Sequence, residues 1–179
     1  MKNIVLVGMP GAGKSTAGVL LAKTQGMNFI DADLLIQERA GKRLQEIIDT
    51  EGPASFLAAE EAAILSLHCT NTVIATGGSV ILSPEAMAHL KNDGVIVYLE
   101  ISFAAMKRRL ANLTTRGIVL LPGQDLRGMY NQRAPLYKNS ADRVIRCSGD
   151  KMETVVRKIR DALRTIPEPA PADRRAFPP

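Results

Sequence analysis

The chain has 179 residues, of which 46% are hydrophobic and 23% are charged. This length fits one compact α/β domain with a real core and is short for two, and the composition is that of an ordinary globular protein. No apolar run reaches membrane length and the apolar residues near the amino terminus are too few for a secretory signal, so we expect a cytoplasmic protein with no membrane partner. Cys69 and Cys147 lack metal-ligand spacing and are expected to be small buried thiols.

The net charge of +5 is unevenly distributed along the chain. Residues 1–103 carry 7 Lys or Arg against 11 Asp or Glu, whereas residues 104–164 carry 14 against 5. Such asymmetry can indicate nucleic-acid binding. Basic residues are not interleaved with aromatic ones here, Trp is absent and only 4% of residues are aromatic, so we expect no nucleic-acid partner. A basic half that closes over a polyphosphate explains the same charges, with solvated helix faces as the alternative.

The predicted elements alternate between strands and helices. In chain order they are strand 2–7, helix 14–25, strand 28–30, helix 34–40, a helix from Pro53, strand 72–76, a helix opened by Ser83 and Pro84, strand 95–99, helix 103–113 capped by Ser102, helix 125–137 bent or ended near Pro135, strand 143–147 and helix 152–164. Residues 114–124 have no periodicity and predict a loop, and residues 167–179 form a Pro-rich tail that we expect to be disordered. Five short apolar strands alternating with helices predict an α/β fold, with a parallel sheet covered on both faces, in one domain over residues 1–166.

The strongest motif follows the first predicted strand. Residues 8–15, GMPGAGKS, match the phosphate-loop pattern G-x-x-x-x-G-K-[ST] in full, between a strand and a helix as the motif requires. The glycines let successive backbone N–H groups turn inward around phosphates, and the next helix points its positive amino terminus at them. We therefore predict an ATP site in which Lys14 bridges phosphate oxygens and the Ser15 hydroxyl binds Mg²⁺. The predicted nucleotide-binding residues of this loop are Gly11, Ala12, Gly13, Lys14, Ser15 and Thr16.

A pair of carboxylates follows the second predicted strand. Asp31 and Asp33 can divide the work near Mg²⁺ and phosphate, one holding the metal and the other activating a nucleophile. The alternative for Asp33 is a helix N-cap ahead of Leu34, which could coexist with catalysis.

Over residues 1–165 the chain resembles the shikimate kinase family of small phosphate-loop kinases. The resemblance rests on GAGKSTAGVLLA at 11–22, FIDAD at 29–33, ATGGS at 75–79, VYLEIS at 97–102, RAPLY at 133–137 and the AD pair at 141–142. It implies a five-stranded parallel sheet like that of nucleoside monophosphate kinases, a mobile lid over about residues 112–124, and phosphorylation of a ring hydroxyl by MgATP.

The resemblance also implies roles for individual residues. Asp31 matches an aspartate that orients Mg²⁺ through water, and Asp33 matches one that hydrogen-bonds the acceptor hydroxyl and takes its proton. Gly77 and Gly78, followed by Ser79, match the backbone that approaches the substrate closely.

Three arginines are similar to family residues that contact the ligands. Arg133 matches the residue that clamps the substrate carboxylate, and Arg109 the residue that stacks on adenine. Arg116 matches the lid arginine that reaches the transferring phosphate, where positive charge stabilises the transition state. Solvated surface charges are the alternative for Arg109 and Arg116.

The sequence departs from the family pattern around the substrate. Leu57 stands where family members place an arginine that forks onto the shikimate carboxylate, so Glu60 loses its usual cationic partner. Ser79 replaces the third glycine of a G-G-G run, and residues 116–119 read RGIV in place of R-P-L-L. A neighbouring basic residue could compensate for one change, but three changes around substrate and lid favour a different, less anionic acceptor.

The sequence therefore predicts a cytoplasmic, monomeric, ATP- and Mg²⁺-dependent phosphotransferase that acts on a hydroxyl of a small metabolite. The acceptor is either shikimate or another hydroxylated metabolite, such as a sugar acid or an amino acid. A nucleotide-binding regulatory protein without catalysis is the rival from another class, and intact Lys14, Ser15, Asp31 and Asp33 argue against it.

Overall fold

A computed structural model describes residues 2–111 and 117–164 and contains a five-stranded, all-parallel sheet. The strands are β1 (Asn3–Val7), β2 (Asn28–Asp31), β3 (Thr72–Ala75), β4 (Gly94–Glu100) and β5 (Arg143–Arg146), in the spatial order β2-β3-β1-β4-β5. The central strands β1 and β3 are buried along their whole length, which explains why their sequences are continuously apolar rather than alternating. The prediction of an α/β fold with a five-stranded parallel sheet is confirmed.

Helices connect the strands and cover the sheet. They are α1 (Lys14–Gln25), α2 (Ala32–Ala40), α3 (Leu44–Leu65), α4 (Pro84–Asp93), α5 (Phe103–Ala111), α6 (Leu126–Ser140) and α7 (Met152–Arg164), with a short 3₁₀ turn at Val80–Leu82 before α4. The predicted caps of two helices are present, because the hydroxyls of Ser83 and Ser102 accept hydrogen bonds from the backbone N–H groups of Ala86 and Ala105. No helix among residues 2–111 and 117–164 is long and apolar enough to cross a membrane.

The prediction that a helix begins near Pro53 is wrong. Helix α3 begins at Leu44 and is kinked at Gly52, where φ is 86°. The missed first part carries Leu44 and Ile47 on its buried side, three residues apart as a helix requires. Pro53 is tolerated because it stands just after the kink, at the start of the second part.

Two further predictions are corrected by hydrogen bonds. The N-cap of α2 is Asp31, whose Oδ1 accepts from the backbone N–H of Asp33 at 3.0 Å, so the interpretation of Asp33 as the cap is wrong. Helix α6 continues past Pro135 to Ser140 rather than ending there. Of the two cysteines, Cys147 is buried and Cys69 is only partly buried.

The main core packs α-helical side chains against both faces of the sheet around β1, β3 and β4. A smaller apolar cluster lies between α2, α3 and the segment after residue 116, and its members are Ile36, Leu44, Ile47, Phe56, Ala63 and Val119. This second cluster fixes α2 and α3 beside the carboxyl ends of β1, β2 and β3. Ligands of open parallel sheets bind at those ends.

Candidate functional site

The phosphate loop leaves the central strand β1 and ends where α1 begins. Gly8, Gly11 and Gly13 have φ values of 147°, 77° and 93°, which residues with side chains rarely adopt. A Cβ at Gly8 would also lie 2.8 Å from the Leu99 carbonyl of the neighbouring strand. The backbone thus forms the nest that the motif predicts, at the amino terminus of α1.

Two cations of the predicted nucleotide site contact this loop. Lys14 is buried, and its Nζ donates to the carbonyls of Gly8 and Met9 at 2.8 and 3.1 Å. Arg109, on α5, donates from Nη1 to the carbonyl of Gly11 at 3.0 Å. Its guanidinium therefore lies over the loop as one wall of the predicted ATP site.

The two aspartates lie where β2 passes into α2. Asp31 is paired in register with Ala75 of β3, so its carboxylate lies at the carboxyl end of the sheet. Asp33 stands in the first turn of α2 and lines the cavity in front of the phosphate loop. Of these two carboxylates, only that of Asp33 is among the residues that line this cavity.

The segment after β3 is held by donors from α6. Arg133 Nη1 and the Tyr137 hydroxyl both donate to the carbonyl of Gly78, the first at 3.0 Å. Tyr137 is fully buried and its ring stacks on Tyr98 with centroids 5.2 Å apart. Because the two donors are one helical turn apart on α6, both reach the same Gly78 carbonyl beside the cavity.

Arg133 also reaches the segment that follows residue 116. Its Nη2 donates to the Val119 carbonyl at 2.6 Å, and Val119 is 2% exposed. A Cβ at Gly117 would lie 2.8 Å from Leu44, so this segment lies tightly against α3. Residues 117–120 thus cover the cavity, as the predicted lid would, whereas residues 112–116 and Arg116 itself lie outside the described residues.

One cavity brings six of the predicted site residues together. They are Lys14, Ser15, Asp33, Gly78, Ser79 and Arg133. Gly77 and Arg109 are not among the lining residues, although Gly77 lies beside Asp33 and Arg109 contacts the phosphate loop.

The two departures at Leu57 and Ser79 meet at one carboxylate. The Ser79 hydroxyl donates to Glu60 Oε2 at 2.5 Å, and Glu60 is 2% exposed. None of the ion pairs between described residues includes Glu60, and its Oε1 is buried with no hydrogen-bond partner there. Burial, reinforced by Asp33, raises the pKa of the Glu60 carboxyl to about 7. Ser79 is therefore a hydrogen-bond partner of Glu60, but it is a neutral one and supplies no positive charge.

Gly77 has a steric role that the motif did not reveal. A Cβ at this position would overlap Glu60 Oε1 and lie 3.0 Å from Asp33 Oδ1. The glycine therefore lets two carboxylates approach the same point on the cavity wall.

Sequence reasoning missed several residues of this cavity. Thr76 donates its hydroxyl to the Leu6 carbonyl and joins β3 to β1, and Pro10 packs against Gly78. Phe56 and Val119 supply the apolar part of the lining. No motif marks these residues, because their function depends on which elements the fold brings together.

Comparisons with known proteins agree with this geometry. The family model described as "Shikimate kinase" matches residues 10–164. The chain belongs to the shikimate kinase family. It is 41% identical to the shikimate kinase of Thiobacillus denitrificans over 143 residues, covering 78% of each chain. It is 38% identical to the shikimate kinase of Pseudomonas paraeruginosa, covering 93% of this chain and 99% of that relative.

A solved structure of this family is also closely similar in shape. The shikimate kinase of Acinetobacter baumannii, solved in complex with shikimate, aligns with a TM-score of 0.85 and 29% identity, over 94% of this chain and 96% of that chain. The chain is accordingly an ATP-dependent small-molecule kinase of the shikimate kinase type.

Proposed function

We propose that this kinase transfers the γ-phosphate of MgATP to a hydroxyl of a small carboxylic acid. The observation that carries the proposal is the single cavity lined by Lys14, Asp33 and Arg133. It sets a phosphate-binding cation, a carboxylate able to accept a proton and a carboxylate-binding cation around one small space. Shikimate is the first candidate acceptor, because the chain belongs to the shikimate kinase family and its structural neighbour from A. baumannii binds shikimate.

Phosphoryl transfer depends mainly on positioning and charge, and the residues of this chain divide that task. The phosphate loop and Lys14 hold the phosphates of ATP, and Arg109 bounds the nucleotide beside the loop. We assign Arg116 to the transferring phosphate from the sequence alone.

Magnesium fits the oxygen donors at this site. The Ser15 hydroxyl lines the cavity and the Asp31 carboxylate lies at the adjacent strand end, and hydroxyl and carboxylate oxygens suit Mg²⁺. Among residues 2–111 and 117–164 there is no group of three or more His, Cys, Asp and Glu that could hold a metal. When bound, Mg²⁺ would be held by the Ser15 hydroxyl and oriented by Asp31, and it would supply positive charge beside the phosphates.

On the acceptor side, Asp33 accepts the proton of the attacking hydroxyl, and the Gly78 backbone lies beside the acceptor. Arg133 binds the carboxylate of the acceptor with guanidinium protons that its two backbone bonds leave available. Its buried Nε has no partner among the described residues. Closure of the covering segment over the cavity excludes water and so protects ATP from hydrolysis.

A second candidate is the kinase of a different hydroxylated metabolite, a sugar acid or an amino acid. Leu57 favours it, because it offers no donor to a carboxylate and lines a separate cavity between α3 and α4 instead. Only Arg133 among the predicted clamp residues then remains to hold a carboxylate. Loss of a charge-assisted bidentate contact costs about 2–5 kcal/mol, which would weaken shikimate binding at least 30-fold.

The test is a coupled ADP-release assay with shikimate, sugar acids and hydroxylated amino acids. We expect acceptor-dependent ADP release with at least one compound, and the acceptor with the highest kcat/KM decides between the two candidates. ATP binding without acceptor-dependent release for any compound would instead support a regulatory nucleotide-binding protein.

A further inference from the structure

We propose that Tyr137 is a positioning residue for the acceptor. Its hydroxyl shares the Gly78 carbonyl with Arg133, and it keeps this peptide in place when Arg133 turns to the carboxylate of the acceptor. The inference rests on the proposed function, because it takes Arg133 as the residue that binds the carboxylate. Tyr137 itself is fully buried and is not among the residues that line the cavity, so it acts through the backbone.

The backbone that Tyr137 holds has little else to fix it. Gly77 and Gly78 lie between the end of β3 and the 3₁₀ turn at Val80–Leu82, so they belong to no helix or strand. Glycines have no side chain that packing could anchor, and their backbone has the widest conformational freedom. Gly78 lines the cavity and lies against Pro10 of the phosphate loop. A shift of this peptide would therefore change the shape of the cavity.

The two donors to the Gly78 carbonyl differ in what else they do. Arg133 donates to Gly78 from Nη1 at 3.0 Å and to the Val119 carbonyl from Nη2 at 2.6 Å, and its side chain lines the cavity. The Tyr137 hydroxyl has a single proton, and it donates this proton to Gly78. Because a carbonyl oxygen has two lone pairs, it accepts both bonds. One donor thus also faces the acceptor, and the other serves the peptide alone.

A carboxylate in the cavity draws the Arg133 guanidinium away from Gly78. The guanidinium is planar and rigid, so the protons left for the acceptor move together with those that bond Gly78 and Val119. Its pair with a carboxylate is roughly twice as strong as a bond to a neutral carbonyl, so acceptor binding loosens the bond to Gly78. A carbonyl left without a donor is costly where water is excluded. Tyr137 prevents this cost, because its own bond to the carbonyl remains.

The surroundings of Tyr137 suit a fixed donor. Its ring stacks on the buried ring of Tyr98 with centroids 5.2 Å apart, so packing holds the hydroxyl in position. Burial raises the pKa of the Tyr137 hydroxyl, so this group stays protonated and able to donate. Arg133 and Tyr137 stand four residues apart on α6, on the same face of the helix.

The experiment removes the hydroxyl and keeps the ring. Steady-state kinetics compare Tyr137→Phe with the wild-type protein, using ATP and the acceptor that has the highest kcat/KM in the ADP-release assay. We expect KM for the acceptor to rise about 10-fold, the effect of leaving one backbone carbonyl without a donor. KM for ATP and kcat should change less than about 3-fold, because the phosphate loop and Asp33 are untouched.

The matched control is Tyr130→Phe. Tyr130 lies on the same helix, and its hydroxyl also donates to a backbone carbonyl, that of Ile101 at 2.9 Å. Each variant loses one bond of the same kind, so urea unfolding should show similar decreases in stability. Only Tyr137→Phe should change KM for the acceptor, which separates a positioning role from general support of the fold.

A spectroscopic readout uses the wild-type protein and does not depend on how Tyr137→Phe folds. The chain has three tyrosines, Tyr98, Tyr130 and Tyr137, so ¹³Cζ-labelled tyrosine gives three signals, and Tyr98→Phe and Tyr130→Phe assign them by elimination. The ¹³Cζ signal of a tyrosine responds to the hydrogen bond of its hydroxyl. Saturating acceptor should shift the Tyr137 signal and leave that of Tyr130 in place, because Arg133 leaves the Gly78 carbonyl to Tyr137.

The outcomes separate this inference from the proposed function. An unchanged KM for the acceptor in folded Tyr137→Phe, or equal rises in KM for acceptor and ATP, would overturn the role of Tyr137 and leave the kinase proposal standing. A Tyr137 signal that does not move at saturating acceptor would overturn it as well. Failure of the wild-type protein to release ADP with any acceptor would overturn the proposed function, and this inference with it.

Discussion

The phosphate-loop side and the acceptor side of the cavity keep their shapes in different ways. The loop is built from consecutive residues whose glycine backbone and helix amino terminus do the binding. The acceptor side is built from α3, α6 and the segments after β3 and residue 116, joined by side-chain contacts such as Glu60 to Ser79 and Arg133 to Val119. A site formed by backbone groups and glycines tolerates few substitutions. A site formed by side chains can change its charge when two contacting residues are both substituted.

The largest expected effect is on the loop side. Lys14→Ala should lower turnover by about 10³-fold or more and weaken ATP binding, because no other residue supplies this point charge beside the transferring phosphate. Steady-state kinetics with varied ATP measure both effects. Lys23→Ala, in the last turn of α1, is the matched control and should behave as wild type. A Lys14 variant with near-normal activity would show that the nucleotide site is elsewhere.

The next effect is on the acceptor side. Asp33→Asn should lower kcat by about 10²- to 10⁴-fold with little change in ATP affinity, because the amide keeps the shape but cannot accept the hydroxyl proton. Turnover and nucleotide binding are measured on the same preparation. Asp49→Asn on exposed α3 surface is the control. An unchanged kcat would remove Asp33 from the chemistry.

The third prediction concerns folding stability. Because burial raises the pKa of Glu60 above its unfolded value of 4.5 to about 7, its contribution to stability is complete below pH 4.5 and is lost as the pH rises through 7. As the pH rises from 4.5 to 7, the free energy of unfolding of the wild-type protein should therefore fall by about 3 kcal/mol relative to that of Glu60→Gln. Urea unfolding of both proteins across this range measures the difference. A constant difference would mean that Glu60 is ionised throughout.

The fourth prediction restores the family residue on the acceptor side. Leu57→Arg should lower KM for shikimate about 30-fold with kcat nearly unchanged, because a carboxylate away from the reacting hydroxyl is held alike in ground and transition states. Glu60 is available to orient the new guanidinium, and Leu57→Lys, which cannot form a bidentate contact, is the control. A low KM for shikimate in the wild-type protein would show that another basic residue already fills this role.

The smallest effect concerns the segment between the two sides. Amide hydrogen exchange of residues 117–124 should slow when nucleotide is bound, because bound nucleotide should favour the arrangement in which Arg133 bonds to Val119 and Gly117 packs on Leu44. Helix α4 is the internal control. Equal protection with and without nucleotide would contradict a lid.

The sequence predicted most of the fold because strand and helix periodicities are local. Its errors fall where tertiary contacts outweighed a local signal. Pro53 marked a helix start, but the apolar spacing of Leu44 and Ile47 extends the helix across the kink at Gly52. Pro135 suggested a break, but α6 continues through it and places Tyr137 against Tyr98.

The candidate site shows the same division. The residues of motifs, such as Lys14 and Asp33, could be located in advance because strand ends meet at one edge of a parallel sheet. The lid and the role of Arg116 stay predictions, since residues 112–116 lie outside the described part of the chain. The contact of Ser79 with Glu60 could not be foreseen, because 19 residues separate them and no periodicity connects them.

The sequence by itself determined the phosphate loop, the parallel sheet and the kinase family, because each depends on short patterns or on similarity spread along the chain. Only the tertiary structure decided how the substitutions at Leu57 and Ser79 combine. They lie on different elements and meet at Glu60, where burial raises the pKa of the carboxyl and leaves one oxygen without a partner among the described residues. The sequence could not decide this, because desolvation and neighbouring charges depend on distances in space rather than on positions in sequence.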